Sequence, residues 1–103
     1  MADFIGAIKV TELPAGTKKA VTIAGKRIMI VNADGHYFAL ADACSHHGCP
    51  LSEEGTVEAG TITCNCHGSQ FDLSTGDVLA PPATTPQPIY KVKVEGDTVL
   101  VAV

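Results

Sequence analysis

No run of apolar residues approaches the roughly 18 that a helix needs to cross a bilayer. Residues 1–20 have neither the basic start nor the hydrophobic block of a signal peptide. No membrane span is expected, and the chain reads as soluble, with a cytoplasmic location favoured. Positive charge is also scarce. Seven Lys and Arg stand against eleven Asp and Glu, a net charge of −4, which argues against phosphate backbones and anionic membranes as partners. Nucleic acid is not an expected partner. Apolar spacing of 3.6 residues is kept nowhere for three turns, and ten Gly with six Pro discourage long helices. What remains is a chain of 103 residues, 46% hydrophobic and 17% charged, inside the globular range but too short for two cores. A single fold must hold any site.

The residues that are present spell strands. From Ala20 the text AVTIAGKRIMIVNADGHYFALAD sets β-branched and aromatic runs around Ala24-Gly25 and Asn32-Ala33-Asp34-Gly35, both turn signals, which predicts consecutive hairpins. His36 leaves the second turn as an ordinary polar residue. An earlier strand is predicted over Ala7–Glu12, stopping at Leu13-Pro14-Ala15-Gly16, where Pro lacks a ladder donor and Gly permits a positive φ. Farther on, Ile89 to Val94 alternates with period two, turns at Glu95-Gly96-Asp97 and returns through Thr98 to Val103. The fold class is all-β.

Roughly Asp42 to Pro82 differs in composition. It holds all four Cys, three of the four His and many Gly, so a site interrupts the scaffold there. Pro81-Pro82, Pro86 and Pro88 predict a stiff loop after it. Cys44-Ser45-His46-His47-Gly48-Cys49 lies over Cys64-Asn65-Cys66-His67-Gly68-Ser69, an internal echo that predicts two similar loops facing one another. Three chemistries compete for these residues. Two structural disulfides could form in three connectivities but leave the histidines unexplained. Structural zinc suits the residue types but not the spacing, because a repeated pair with two to four intervening residues is absent: Cys44 and Cys49 have four residues between them, and Cys64 and Cys66 have one. The third assigns Cys44-x-His46 and Cys64-x-x-His67 as two mixed pairs on one metal centre, with Cys49 and Cys66 left to join each other.

CSHHGC followed by CNCHGSQFD resembles the two cluster-binding loops of Rieske iron-sulfur proteins. LSEEGTV, FDLSTGDV and LAPPATTP resemble the frame of the small Rieske ferredoxins, and the likeness covers about residues 36 to 103. The resemblance implies an antiparallel β-sandwich base, approximately residues 1–41 and 83–103, with a cluster-binding subdomain over approximately 42–82, in one domain spanning 1–103. It implies one 2Fe-2S cluster per chain, with Cys44 and Cys64 on the inner iron and His46 and His67 on the outer. Aligning the two loops with each other would favour His47, but the family places its ligand two residues after Cys, at His46. His47 then becomes a side chain beside the cluster. Cys49 and Cys66 match the bridged pair of cytochrome bc-type Rieske subunits, which the dioxygenase-type ferredoxins generally lack. By loop-closure entropy such a bridge would contribute about 3 kcal/mol.

Further expectations rest on the same resemblance. Ser69 occupies the place of a serine whose hydroxyl donates to a bridging sulfide. Phe71 occupies the place of a tyrosine and has no hydroxyl to give. The expected potential lies within about −150 to +300 mV, between the dioxygenase-ferredoxin end and the highest members. Ferric iron should lower the pKa of the ligand histidines, so the potential should fall as pH rises past it. Gly48, Gly68 and Pro82 would shape the rim. Asp42, Glu53, Glu54, Asp72 and Asp77 read as solvated acids or as a steering surface for a basic partner. No Ser-His-Asp set and no phosphate-cradling glycine motif accompanies the cluster residues. The expected protein is a monomeric one-electron carrier between a reductase and an acceptor such as an oxygenase or cytochrome, not an enzyme. A subunit of a larger oxidase, reductase or bc-type complex is the alternative, and a non-redox domain stapled by disulfides or zinc is the alternative of another class.

Overall fold

The computed structural model describes residues 4–43, 49–66, 68–81 and 84–102. Their strands form three antiparallel sheets. The first has the order β1 (Phe4–Lys9), β11 (Thr98–Ala102), β10 (Val92–Glu95). The second runs β2 (Lys18–Ile23), β3 (Lys26–Ala33), β4 (His36–Ala41), β9 (Ile89–Tyr90). The third is β5 (Gly55–Glu58), β6 (Thr61–Cys64), β7 (Gln70–Asp72), β8 (Val78–Ala80), preceded by a four-residue helix α1 (Leu51–Glu54).

The central strand β3 explains the layering. Ile28, Met29, Ile30 and Val31 are all buried, so this stretch of the strand has no solvent face. Successive side chains point to opposite faces. Ile28 and Ile30 enter a core with Ile8, Leu13, Val99 and Val101. Met29 and Val31 enter another with Leu51, Ile62, Phe71 and Leu73. The second sheet is therefore covered on both sides, by the first sheet on one and the third on the other. The all-β expectation holds.

Three hairpins turn on two residues of positive φ: Ala24-Gly25 (52°, 78°), Asp34-Gly35 (54°, 87°) and Ala59-Gly60 (51°, 76°). Positive φ at both positions marks the type I′ turn, whose twist matches the flanking strands. The second turn is tighter than predicted, because Asn32 and Ala33 stay in β3. Asn32 is buried; its Nδ2 donates to Leu13 O at 2.8 Å and its Oδ1 accepts from Gly35 N–H at 2.8 Å.

Two strand expectations are corrected. The strand placed over Ala7–Glu12 runs instead over Phe4–Lys9 and gives way to a 3-10 turn at Val10–Glu12. Its ladder partner β11 begins at Thr98, opposite Lys9, and Val10 N–H already donates to Asp97 O in the β10–β11 turn. The Ile89–Val94 run is two strands, not one. Ile89 and Tyr90 pair with Leu40 and Ala39 in the second sheet, whereas Val92 to Glu95 pair with β11 in the first. The chain changes sheets at Lys91.

Candidate metal centre

Two loops leave the sheets side by side: one from the end of β4 to α1, the other from β6 to β7. Of the candidate residues, Cys49, Cys64, Cys66, Gly68, Ser69 and Phe71 are described. Cys44, His46, His47, Gly48, His67 and Pro82 lie outside the described residues.

The second loop closes on its own backbone. Gly68 N–H donates to Cys64 O at 2.7 Å and Cys64 N–H to Ser69 O at 2.8 Å. The tight return places Gly68 at φ 84°, a conformation glycine adopts without steric cost. Asn65 ties the loop sideways to the helix and the strand after it, its N–H to Glu54 O at 2.7 Å and its Nδ2 to Thr56 Oγ1 at 2.8 Å. A disulfide between Cys49 and Cys66, with Cα atoms 6.7 Å apart, fastens the two loops together.

The sulfurs of Cys49, Cys64 and Cys66 all lie within 4.8 Å of one another. Their burial is graded: Cys64 is buried, Cys49 half-buried and Cys66 exposed. Beneath them, Phe71 is fully buried in the same core as Cys64, and Ser69, the residue that begins the return, is also buried. The site thus offers a soft sulfur donor at the end of a strand and a hydroxyl-bearing residue within the same turn, over a floor that excludes water. Such a set suits a thiophilic metal centre.

The foot of the first loop rests on residues that the sequence pattern did not single out for this role. Asp42 was expected to be a solvated or steering acid. It is 1% exposed. Its Oδ2 accepts from Arg27 Nε at 2.6 Å and its Oδ1 from Ser52 N–H at 2.7 Å, while its backbone oxygen accepts from Leu51 N–H at 2.7 Å. Hydrogen bonding to Asp42 and its charge push the Arg27 pKa up from the usual arginine value. Lys18 Nζ braces the far side of the loop at Ser52 O, 2.8 Å away. Gln87, 2% exposed, donates from Nε2 to Ala41 O at 2.6 Å and to Ala43 O at 2.7 Å. No sequence signal pointed to the Lys18 and Gln87 contacts, whose acceptors are backbone oxygens far along the chain. Asp72 is also a turn-former: its Oδ1 accepts from Ser74 Oγ–H at 2.6 Å, Ser74 N–H at 2.8 Å and Thr75 N–H at 3.2 Å. Those bonds hold its pKa below the ordinary carboxylate value.

Residues 4–93 match the family model described as Rieske [2Fe-2S] domain. The biphenyl dioxygenase ferredoxin subunit of Pseudomonas sp. (strain KKS102) is 36% identical over 98 residues, covering 95% of this chain and 90% of that one. The cytochrome b6-f complex iron-sulfur subunit of Chlorobaculum thiosulfatiphilum is 30% identical over 91% of this chain but only 50% of its own length. Among solved structures, the ferredoxin of carbazole 1,9a-dioxygenase from Nocardioides aromaticivorans IC177 superposes with a TM-score of 0.90 at 30% identity, covering 96% of each chain. Among the described residues no helix is long and apolar enough to cross a membrane.

Proposed function

Since this chain belongs to the Rieske [2Fe-2S] domain family, we propose that Cys44 and Cys64 hold the inner iron of its cluster and that His46 and His67 hold the outer one. The protein is an electron carrier and not itself a catalyst. The bound cluster supplies reversible one-electron transfer. The observation that carries the ligand assignment is the buried Cys64 sulfur at the end of β6, packed beside the disulfide that fastens the two loops. A thiolate kept from water on the protein side fits an inner iron.

The remaining residues prepare that place. Ser69 would donate its hydroxyl toward a sulfur of the bound cluster, and Phe71 seals the floor without adding a donor. Gly48, Gly68 and Pro82 form the rim, and His47 stands beside the centre without ligating it. Residues 42–82 form the cluster-binding portion, and residues 1–41 with 83–103 form the base. A reductase delivers the electron and the oxygenase of a dioxygenase system accepts it; the known complex of reduced oxygenase and oxidized ferredoxin in carbazole 1,9a-dioxygenase supports the second step. The carrier works in the cytoplasm. Fractionation that returned it with membranes would contradict that location.

Iron and acid-labile sulfide analysis, with EPR of the reduced protein, tests the assignment. Two irons and two sulfides per chain are expected, retained in His47→Ala and lost in His46→Ala. The reverse pattern in those variants would overturn it. The Cys49–Cys66 disulfide favours a second reading, in which the acceptor is a cytochrome, because bc-type Rieske subunits bridge this pair. Stopped-flow reduction of a terminal oxygenase and of a c-type cytochrome by the reduced protein separates the two.

A further inference from the structure

We propose that Gln87 is a positioning residue for the metal centre: its side-chain amide, reaching from the proline-rich return segment, fixes the foot of the first ligand loop. The proposal rests on the reading that Cys44 is a ligand. Gln87 lies between Pro86 and Pro88, both exposed, yet is itself buried. Its Nε2 hydrogens go to Ala41 O at 2.6 Å and Ala43 O at 2.7 Å, the carbonyls on either side of Asp42, and Ala43 immediately precedes Cys44.

The need for an amide follows from the adjacent ladder. β9 pairs with β4 through Leu40↔Ile89 and Ala39↔Tyr90, so the next partner of Ala41 is Pro88. Pro88 O accepts from Ala41 N–H at 2.9 Å, but proline has no N–H to return. Ala41 O and Ala43 O would lack that strand's donor. The side chain one residue earlier supplies it twice, extending the sheet edge to the last described residue before the loop. A neutral group with two hydrogens on one nitrogen suits two carbonyl acceptors. A carboxylate would repel them, and an apolar chain would leave them without these donors.

Gln87 is in turn fixed from behind. Its N–H donates to Gly76 O at 2.8 Å. Gly76 has φ 78°, and a Cβ there would run into the Gln87 carbonyl and come within 3.0 Å of Ile89 Cγ2. The β7–β8 turn, the return segment and the end of β4 are thereby locked as one unit.

The test is Gln87→Met, close in length but without donors, prepared as the holoprotein and compared with wild type. Hydrogen exchange of peptides covering residues 39–52 should accelerate about tenfold, the factor for roughly one lost buried hydrogen bond, with residues 18–33 unchanged. Iron should be lost faster to a chelator, and the reduction potential and EPR line shape should shift. Wild-type potential, EPR and iron retention in this variant would overturn the proposal, even if exchange were faster. Global unfolding of the variant would overturn it too, by making Gln87 a general core residue. Wild-type protein that bound no iron would sink the ligand assignment instead, while the exchange comparison would still decide whether Gln87 holds the loop.

Discussion

One residue, Asp42, holds three contacts from two parts of the chain: its carboxylate takes the Arg27 guanidinium and the Ser52 N–H, and its backbone oxygen the Leu51 N–H. The two ends of the Arg27–Asp42 pair are unlike, with 57% of the guanidinium side chain exposed against 1% of the carboxylate. Arg27 is the exposed partner and its loss leaves the two backbone N–H contacts of Asp42 in place, so Arg27→Ala should destabilise the protein less than Asp42→Ala does. Asp42→Ala strips the loop foot of a charged acceptor and should cost about 2–3 kcal/mol. Urea unfolding of the two variants checks both. At the centre itself, Ser69→Ala should lower the reduction potential, because a hydrogen bond to a cluster sulfur favours the more negative reduced state, and Phe71→Tyr should raise it; protein-film voltammetry reads both signs. An unchanged potential in Ser69→Ala would contradict the role given to that hydroxyl. The Cys49–Cys66 pairing was legible through the family likeness of the two short, similar strings that carry it. Asp42 and Gln87 were not, because each acts on backbone groups that only the tertiary fold brings near: Gln87 reaches residues 44 and 46 positions away.

Among the elements, the hairpins were the most legible part of the fold. Ala24-Gly25 and Asp34-Gly35 are local signals, and a two-residue type I′ turn depends on little outside itself. The break at Lys91 was hidden for the opposite reason, since the alternation of Ile89–Val94 continues smoothly while the hydrogen-bonding partner changes from β4 to β11. Helix α1 was missed because four residues are too few to show a period. The β7–β8 turn carries a pH dependence. Asp72 has its folded-state pKa lowered, chiefly by the Ser74 hydroxyl, then by the Ser74 and Thr75 N–H groups. A lowered folded value means stabilisation that is present above the unfolded carboxylate pKa, about 3.9, and disappears as pH falls through the folded one. The stability difference between wild type and Asp72→Ala should therefore be full near neutrality and shrink in acid, as measured by denaturant unfolding across pH. A difference that grew on acidification would contradict this assignment.

Across the whole molecule, charge is divided by region. Residues 42–82 hold none of the seven Lys and Arg but six of the eleven acids, of which Glu53, Glu54, Glu58 and Asp77 are exposed. Electron transfer to an acceptor with a basic docking face should slow as ionic strength rises past about 0.1 M, where the screening length is about 10 Å. Stopped-flow rates against salt concentration would reveal a flat response if these acids play no part. The layered architecture was only partly legible, because the unbroken apolar run of β3 speaks of two covered faces without saying what covers each. The outer β1–β11 pair has a consequence of its own. Phe4 lies opposite Ala102, so the chain could be sewn shut there by a short peptide and cut open at Ala24-Gly25 instead. Such a circular permutant should assemble the same visible chromophore, because connectivity at that seam does no work that strand pairing does not already do.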